Sequence, residues 1–221
     1  MSDFGTLKRV ILGCVTRMSS SFQTSGQNYV DVAINNAIIY AQRKANFEWC
    51  KDTVSVVCSP KGNIMQGVDS SGRTVLLKNI IKCFGDVEPT GHGDLSIPYL
   101  SRVSQIGESN AEKQHGVCGR SKAAIHQGQF VYITPQPSSV PYTMWFEAVK
   151  WLPRVVVESD TNFLFTYGFD FLMYRSILEL NFFIKEDERM NVTSSMLKDS
   201  WDSLMTWDAS LLSPTETEID Y

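Results

Sequence analysis

The sequence predicts an α+β protein: a discontinuous four-helix bundle built from both chain ends, with an inserted antiparallel β domain. Three observations predict it. Apolar residues recur at three- and four-residue spacing near both ends, in 7–15, 30–41, 169–184 and 196–211. Between those rows, from 53 to 151, β-branched runs alternate with turns rich in Gly, Pro, Asp and Ser. The chain carries no internal repeat, so the two helical ends are expected to complete one another. The expected domains are 1–50 with 154–212 as the helical bundle, 51–153 as the β insert, and 213–221 as an extended acidic tail.

Residues 3–18 read as a first helix with Leu7, Val10, Ile11 and Val15 on one side. Asp3 precedes the apolar stretch and no small-residue cleavage site follows, which predicts an amphipathic helix and not a signal peptide. Residues 28–45 form the stronger second helix. Val30, Ile34, Ala37, Ile38 and Ala41 share one face, and Arg43 and Lys44 sit where the helix dipole favours cations. Phe47 and Trp49 follow directly and are expected in the core.

The pattern then changes to period two. Residues 53–58, 73–84, 117–125, 129–134 and 142–151 read as strands. Ser70, Ser71 and Gly72 mark a turn, 73–84 has room for a bulge, and His126, Gln127 and Gly128 mark a hairpin. Met144, Trp145, Phe146 and Trp151 are expected to be buried.

The third helix organises the chain. Phe169, Leu172, Met173, Ser176, Ile177, Leu180, Phe183 and Ile184 fall on one side of a 3.6-residue helix, with Asp170, Arg175, Glu179 and Lys185 towards the other. Ser159 and Asp160 are candidate N-caps for a short lead-in turn, and Gly168 allows the chain to turn before the long helix. The last helix, 192–212, carries Met196, Leu197, Trp201, Leu204, Met205 and Leu211, and Pro214 stops it.

Composition narrows the function classes. With 43% hydrophobic and 20% charged residues the chain has the balance of an ordinary folded domain, and no apolar run approaches the roughly 18 residues of a membrane span. The five cysteines, Cys14, Cys50, Cys58, Cys83 and Cys118, are widely spaced without a C-x-x-C, so reduced thiols are expected and a metal site is not. Residues 1–159 carry 16 Lys and Arg against 12 Asp and Glu, a net +4; residues 160–221 carry 4 against 12, a net −8. That asymmetry suits head-to-tail protein contacts more than a nucleic-acid surface, and equally suits helices that simply carry solvated acids.

Catalytic signals are lacking. The glycines of 62–67 and 116–122 are not followed by the Gly-Lys-Ser/Thr of a phosphate loop. His92-Gly93-Asp94 has no nucleophile elbow to serve and reads as a turn. Glu186, Asp187 and Glu188 are adjacent solvated acids, not inward-facing carboxylates on separate elements. Arg73, Lys78 and Lys82 share one strand region with Phe84 as their aromatic neighbour, which suits sequence-independent contact with DNA and not base readout. No enzymatic activity and no cofactor are expected.

One resemblance runs through most of the chain. Asp160-Thr161-Asn162, the aromatic FLFTYGFDFLMY that follows, the apolar helix and the charged KEDER turn at 185–189 resemble the C-terminal part of phage head-to-tail adaptors. These are the connector, or tail tubular protein A-like, ring proteins of short-tailed phages. Tyr132-Ile133-Thr134-Pro135 and Trp151-Leu152-Pro153 fall in the family's order, while residues 95–114 lie outside the resemblance. It implies a virion structural protein, made in the host cytoplasm and placed at the head–tail junction. It further implies a dodecameric ring of copies of this chain, bound to the portal protein on one side and the tail nozzle on the other, around non-specifically contacted genomic DNA and without a membrane. The residues it assigns to a portal groove are Ser213, Pro214, Thr215, Glu216, Thr217, Glu218, Ile219, Asp220 and Tyr221. A reading from a different class is a soluble, non-viral binding module whose β insert recognises a protein or glycan.

Overall fold

The computed structural model describes residues 2–16, 26–58, 63–64, 66–85, 99–100, 123–127, 130–134, 142–180 and 190–212. The protein mixes helix and sheet, as the α+β class requires, and its contacts divide it into two compact units. Met1–Trp49 and Leu152–Tyr221 make a helical unit; Cys50–Trp151 make a β unit.

The helical unit contains α1 (Phe4–Thr16), α2 (Gly26–Lys44), α3 (Phe163–Tyr167), α4 (Phe169–Leu180) and α5 (Met190–Ser210). Helix α4 is its centre, with α1, α2, α3 and α5 all packing on it. The reason is its apolar character: Phe171, Leu172, Ser176, Ile177 and Leu180 are buried. Against them lie Val30, Ala33, Ile34, Ala37, Ile38 and Ala41 of α2, the face that the three-and-four spacing predicts. Leu7, Ile11 and Val15 of α1 are fully buried, but Val10 is exposed, because it stands at the edge of the α1 apolar row.

Two local expectations are corrected. The N-cap of α3 is Asn162, whose Oδ1 accepts the Leu164 amide at 3.0 Å. Asp160 is engaged elsewhere: its carboxylate accepts the amides of Val156 and Val157, which hold its pKa below the ordinary value, and its carbonyl accepts the amide of Phe4. In α4 the buried phenylalanine is Phe171, while Phe169 is half-buried. Phe183, Ile184 and the 185–189 turn lie outside the described residues.

Two side-chain amides on α2 fix the segment that returns from the β unit. Asn35 accepts the Val155 amide and donates to the Val155 carbonyl, each at 3.0 Å. Gln42, only 2% exposed, accepts the Leu152 amide. A buried polar side chain is tolerated only with such partners, and these satisfy extended backbone that has no ladder of its own.

In the β unit, β1 (Lys51–Cys58), β3 (Gln66–Val68), β4 (Thr74–Gly85) and β8 (Tyr142–Lys150) close a small barrel in the order β1-β3-β4-β8, every neighbour antiparallel. Alternation decides what fills it. Val54 and Val56 of β1 and Met144, Phe146 and Ala148 of β8 point inward, with Leu77 and Ile80 of β4. Trp145 and Trp151 are only half-buried, contrary to expectation. The expected irregularity in 73–84 is real: the β4–β8 register shifts three times, as a bulged strand must where it bends to close a barrel. Gly67 allows β3 to lie against β1, since a Cβ there would stand 2.4 Å from Val54 Cγ1 and 2.6 Å from the Ser55 carbonyl.

The second sheet has the order β2-β7-β6-β5, from β2 (Asn63–Ile64), β5 (Tyr99–Leu100), β6 (Ala123–Gln127) and β7 (Phe130–Thr134). β6 and β7 pair antiparallel with Gln127 opposite Phe130. β5 and β6 are parallel, so the insert is not wholly antiparallel. The 22 residues between those strands are enough chain for the crossover that parallel pairing needs.

Candidate interaction surface of the helical unit

An aromatic cluster runs from the core of the helical unit to its surface. Its inner members, Phe47, Phe163, Phe171 and Trp201, are buried and meet at centroid distances of 5.1–6.1 Å. Its outer members are Trp49, Tyr167 and Trp207. Tyr167 and Trp207 are stacked at 3.8 Å and 14°, and Trp49 lies 6.1 Å from each. Trp49 is 51% exposed and Tyr167 48%. Trp49 therefore leaves the core in which the sequence places it.

Local structure explains why these rings stand at the surface. The short 3-10 turn Glu48–Cys50 follows α2, and the buried carboxylate of Asp208 on α5 accepts its Glu48 amide at 3.0 Å and its Trp49 amide at 3.4 Å. Residue 207, next to that anchor, presents its indole beside Trp49. Tyr167 ends α3, where the Gly168 amide bonds back to the Leu164 carbonyl and a Cβ at 168 would press on Leu164 and Leu204. Rigid rings of this kind, apolar over most of their area, are what subunit interfaces enrich. Just beyond them Leu211 and Leu212 are 46% and 60% exposed.

Elsewhere on the unit, Lys8 pairs with Asp31 at 2.7 Å. Asp31, Val32, Asn35, Asn36 and Arg154 line a shallow recess of about 120 Å³. Small-molecule sites commonly exceed about 300 Å³, so the recess suits a protein side chain better than a substrate.

The β unit holds a charged cluster, and its geometry is structural. Lys150 Nζ lies 2.7 Å from Asp52 and 3.1 Å from Asp69. Asp69 also accepts the Ser71 hydroxyl and the amides of Ser71 and Arg73, closing the turn between β3 and β4. Burial alone would raise its pKa. The Arg73 amide, the Ser71 hydroxyl and Lys150 outweigh burial and lower it to about 2. For Lys150 burial opposes the charge, but the two carboxylates prevail and raise its pKa. Asp69 thus accepts from the β3–β4 turn and from Lys150, and Asp52 from Thr53, Ser70 and Lys150, so both carboxylates bond to groups of the fold itself. Lys78 lies over the Trp151 ring at 5.7 Å and Lys82 over Phe84 at 4.9 Å. Phe84 is thus not the sole aromatic neighbour of this basic strand. Burial lowers the pKa of Lys78.

Among the described residues no group of three His, Cys, Asp or Glu can hold a metal, and no helix is long and apolar enough to cross a membrane. Cys14 and Cys50 are thiols outside any disulfide. The nine tail positions Ser213 to Tyr221 lie outside the described residues, as do His92, Asp94 and Glu186 to Glu188. The aromatic rim escapes sequence reading because Trp49 and Trp207 are 158 residues apart and nothing local pairs them. Compared with known proteins, the chain matches no family model and no curated sequence.

Proposed function

We propose that this protein is the subunit of a head-to-tail adaptor ring, joining the portal of a phage capsid to the tail nozzle around the DNA channel. The observation that carries this reading is the division of the chain: both ends contribute to one helical unit, and a compact β unit occupies the middle. The resemblance gives such parts separate roles: a helical domain that packs against its neighbours and the portal side, and a β insert that projects outward or down towards the nozzle. In this reading α1, α2, α4 and α5 act as a four-helix bundle that builds the ring, and the β unit faces the nozzle. The tail, Ser213 to Tyr221, leaves α5 close in sequence to Trp207 and reaches a groove on the portal, ordering there at an entropic cost that makes binding conditional on assembly. Lys78 and Lys82 offer charge without base-reading geometry, which suits DNA that must pass and not be held.

Co-sedimentation with portal-bearing capsids tests the proposal. The full chain is expected to pellet with them, and a chain lacking Ser213 to Tyr221 to stay in the supernatant. Equal binding by both would remove the tail from the portal contact. Binding by neither would favour the non-viral binding module.

A further inference from the structure

We infer that the rim formed by Trp49, Tyr167, Trp207, Leu211 and Leu212 is the docking site of the chain's own tail, Ser213 to Tyr221. Such docking needs neither a portal nor a second copy, so it holds or fails independently of the adaptor reading. The five rim residues all belong to the helical unit. Trp49, Tyr167, Leu211 and Leu212 are 46–60% exposed, and Trp207 is half-buried. In the turn that follows α5 the Leu211 and Leu212 amides bond back to the Asp208 and Ala209 carbonyls. That turn carries the apolar surface from Trp207 to the residue at which the tail begins.

Size, reach and composition name the tail as the occupant. A stable contact between separate chains engages roughly 20–30 residues on each side, far more than this rim offers. A tethered segment needs much less, since a short linker holds it at an effective concentration on the order of millimolar. Nine residues span at most about 30 Å when extended, whereas Trp207 lies five residues, roughly 8 Å of helix, behind Leu212. The Ser213-Pro214 pair favours the chain reversal that this path requires. Ile219 and Tyr221, two positions apart, fall on one side of an extended segment and supply an aliphatic and an aromatic anchor for the exposed rings. Acids flank the rim: half-buried Glu48 adjoins Trp49, and exposed Asp170 follows Tyr167 by three residues. The tail's own Glu216, Glu218 and Asp220 are therefore not what holds it. Apolar burial does, and salt should tighten the contact by screening the carboxylates. In the adaptor reading, a portal that captures the same nine residues bares the rim.

Acrylamide quenching of tryptophan emission tests this on the full-length protein at micromolar concentration. A chain ending at Leu212 is expected to show a steeper quenching slope than the natural chain, as Trp49 and Trp207 lose their cover. Ile219→Ser with Tyr221→Ser should reproduce the effect at full chain length. With Trp49→Phe and Trp207→Phe in place, removing the tail should leave the slope unchanged, which separates the rim from Trp145, Trp151 and Trp201. Free peptide 213–221 should restore the natural slope to the truncated chain only towards millimolar concentration. A slope that is the same with and without the tail overturns the inference. So does a difference that persists without Trp49 and Trp207. A difference that disappears on dilution overturns it as well, since the occupant would then be a second copy's tail.

Discussion

The carboxylate of Asp208, in the last helix, accepts the backbone amide of Glu48 at 3.0 Å, across 160 residues of sequence. The bond joins the turn that follows α2 to α5 and holds Trp49 at the rim of the aromatic cluster. Asp208 is 3% exposed, so replacing it takes the acceptor from two part-buried amides. Asp208→Ala is expected to lower unfolding free energy by about 1–3 kcal/mol in urea titration. Asp208→Asn, which keeps one acceptor oxygen, should lose less. A change below about 0.5 kcal/mol for the alanine variant would mean that the anchor is not structural.

The Tyr167–Trp207 stack is the closest ring pair of the cluster. Its rings should couple beyond the area each buries. A double-mutant cycle with Tyr167→Ala and Trp207→Ala is expected to give about 0.5–1.5 kcal/mol of interaction energy. Strict additivity would show that the two rings share a surface without supporting one another.

The β unit is expected to weaken in acid through Asp69. Its folded pKa is about 2, below the ordinary 3.8, so its contribution is present above that ordinary value and is lost as pH falls from about 4 to 2. The loss should be on the order of 1 kcal/mol, less than ideal linkage gives, because solvent screens a turn this close to the surface. Asp69→Asn should flatten the dependence in that window, measured by circular dichroism melts at stepped pH. An unchanged slope would assign the acid sensitivity to other carboxylates.

Gly67 should not accept a side chain. A Cβ at 2.4–2.6 Å from Val54 and the Ser55 carbonyl meets backbone as well as side chain, so β3 must move off β1. Gly67→Ala is expected to cost more than about 2 kcal/mol. Gly72→Ala is a useful contrast: it has open space and a φ of +77°, so it should suffer from backbone strain alone. Comparable small losses at both would contradict the close approach of β3 and β1.

The legible parts of the fold are those where one face decides the packing. Val30, Ile34, Ala37, Ile38 and Ala41 are buried as their spacing requires, and β8 alternates because its inward residues fill a barrel. Ser159, Asp160 and Asn162 are all good capping residues, and sequence alone has no means of choosing among them. The choice of Asn162 follows from Asp160 being taken by Val156, Val157 and Phe4. Three-residue β3 is too short to show a period, and parallel β5–β6 pairing leaves no local signal. Trp49 reads as core because large aromatics after a helix usually dock inward; its exposure depends on Asp208, far away in sequence. The candidate surface shares that dependence, whereas the portal-tail expectation rests on residues 213–221, outside the described structure.

The mass of the full-length protein by light scattering, alone and then with portal-bearing capsids, tests the central claim most directly. The adaptor reading predicts a monomer in isolation and a stoichiometric ring on each portal. A protein that stays monomeric and unbound beside portals at micromolar concentration would contradict it.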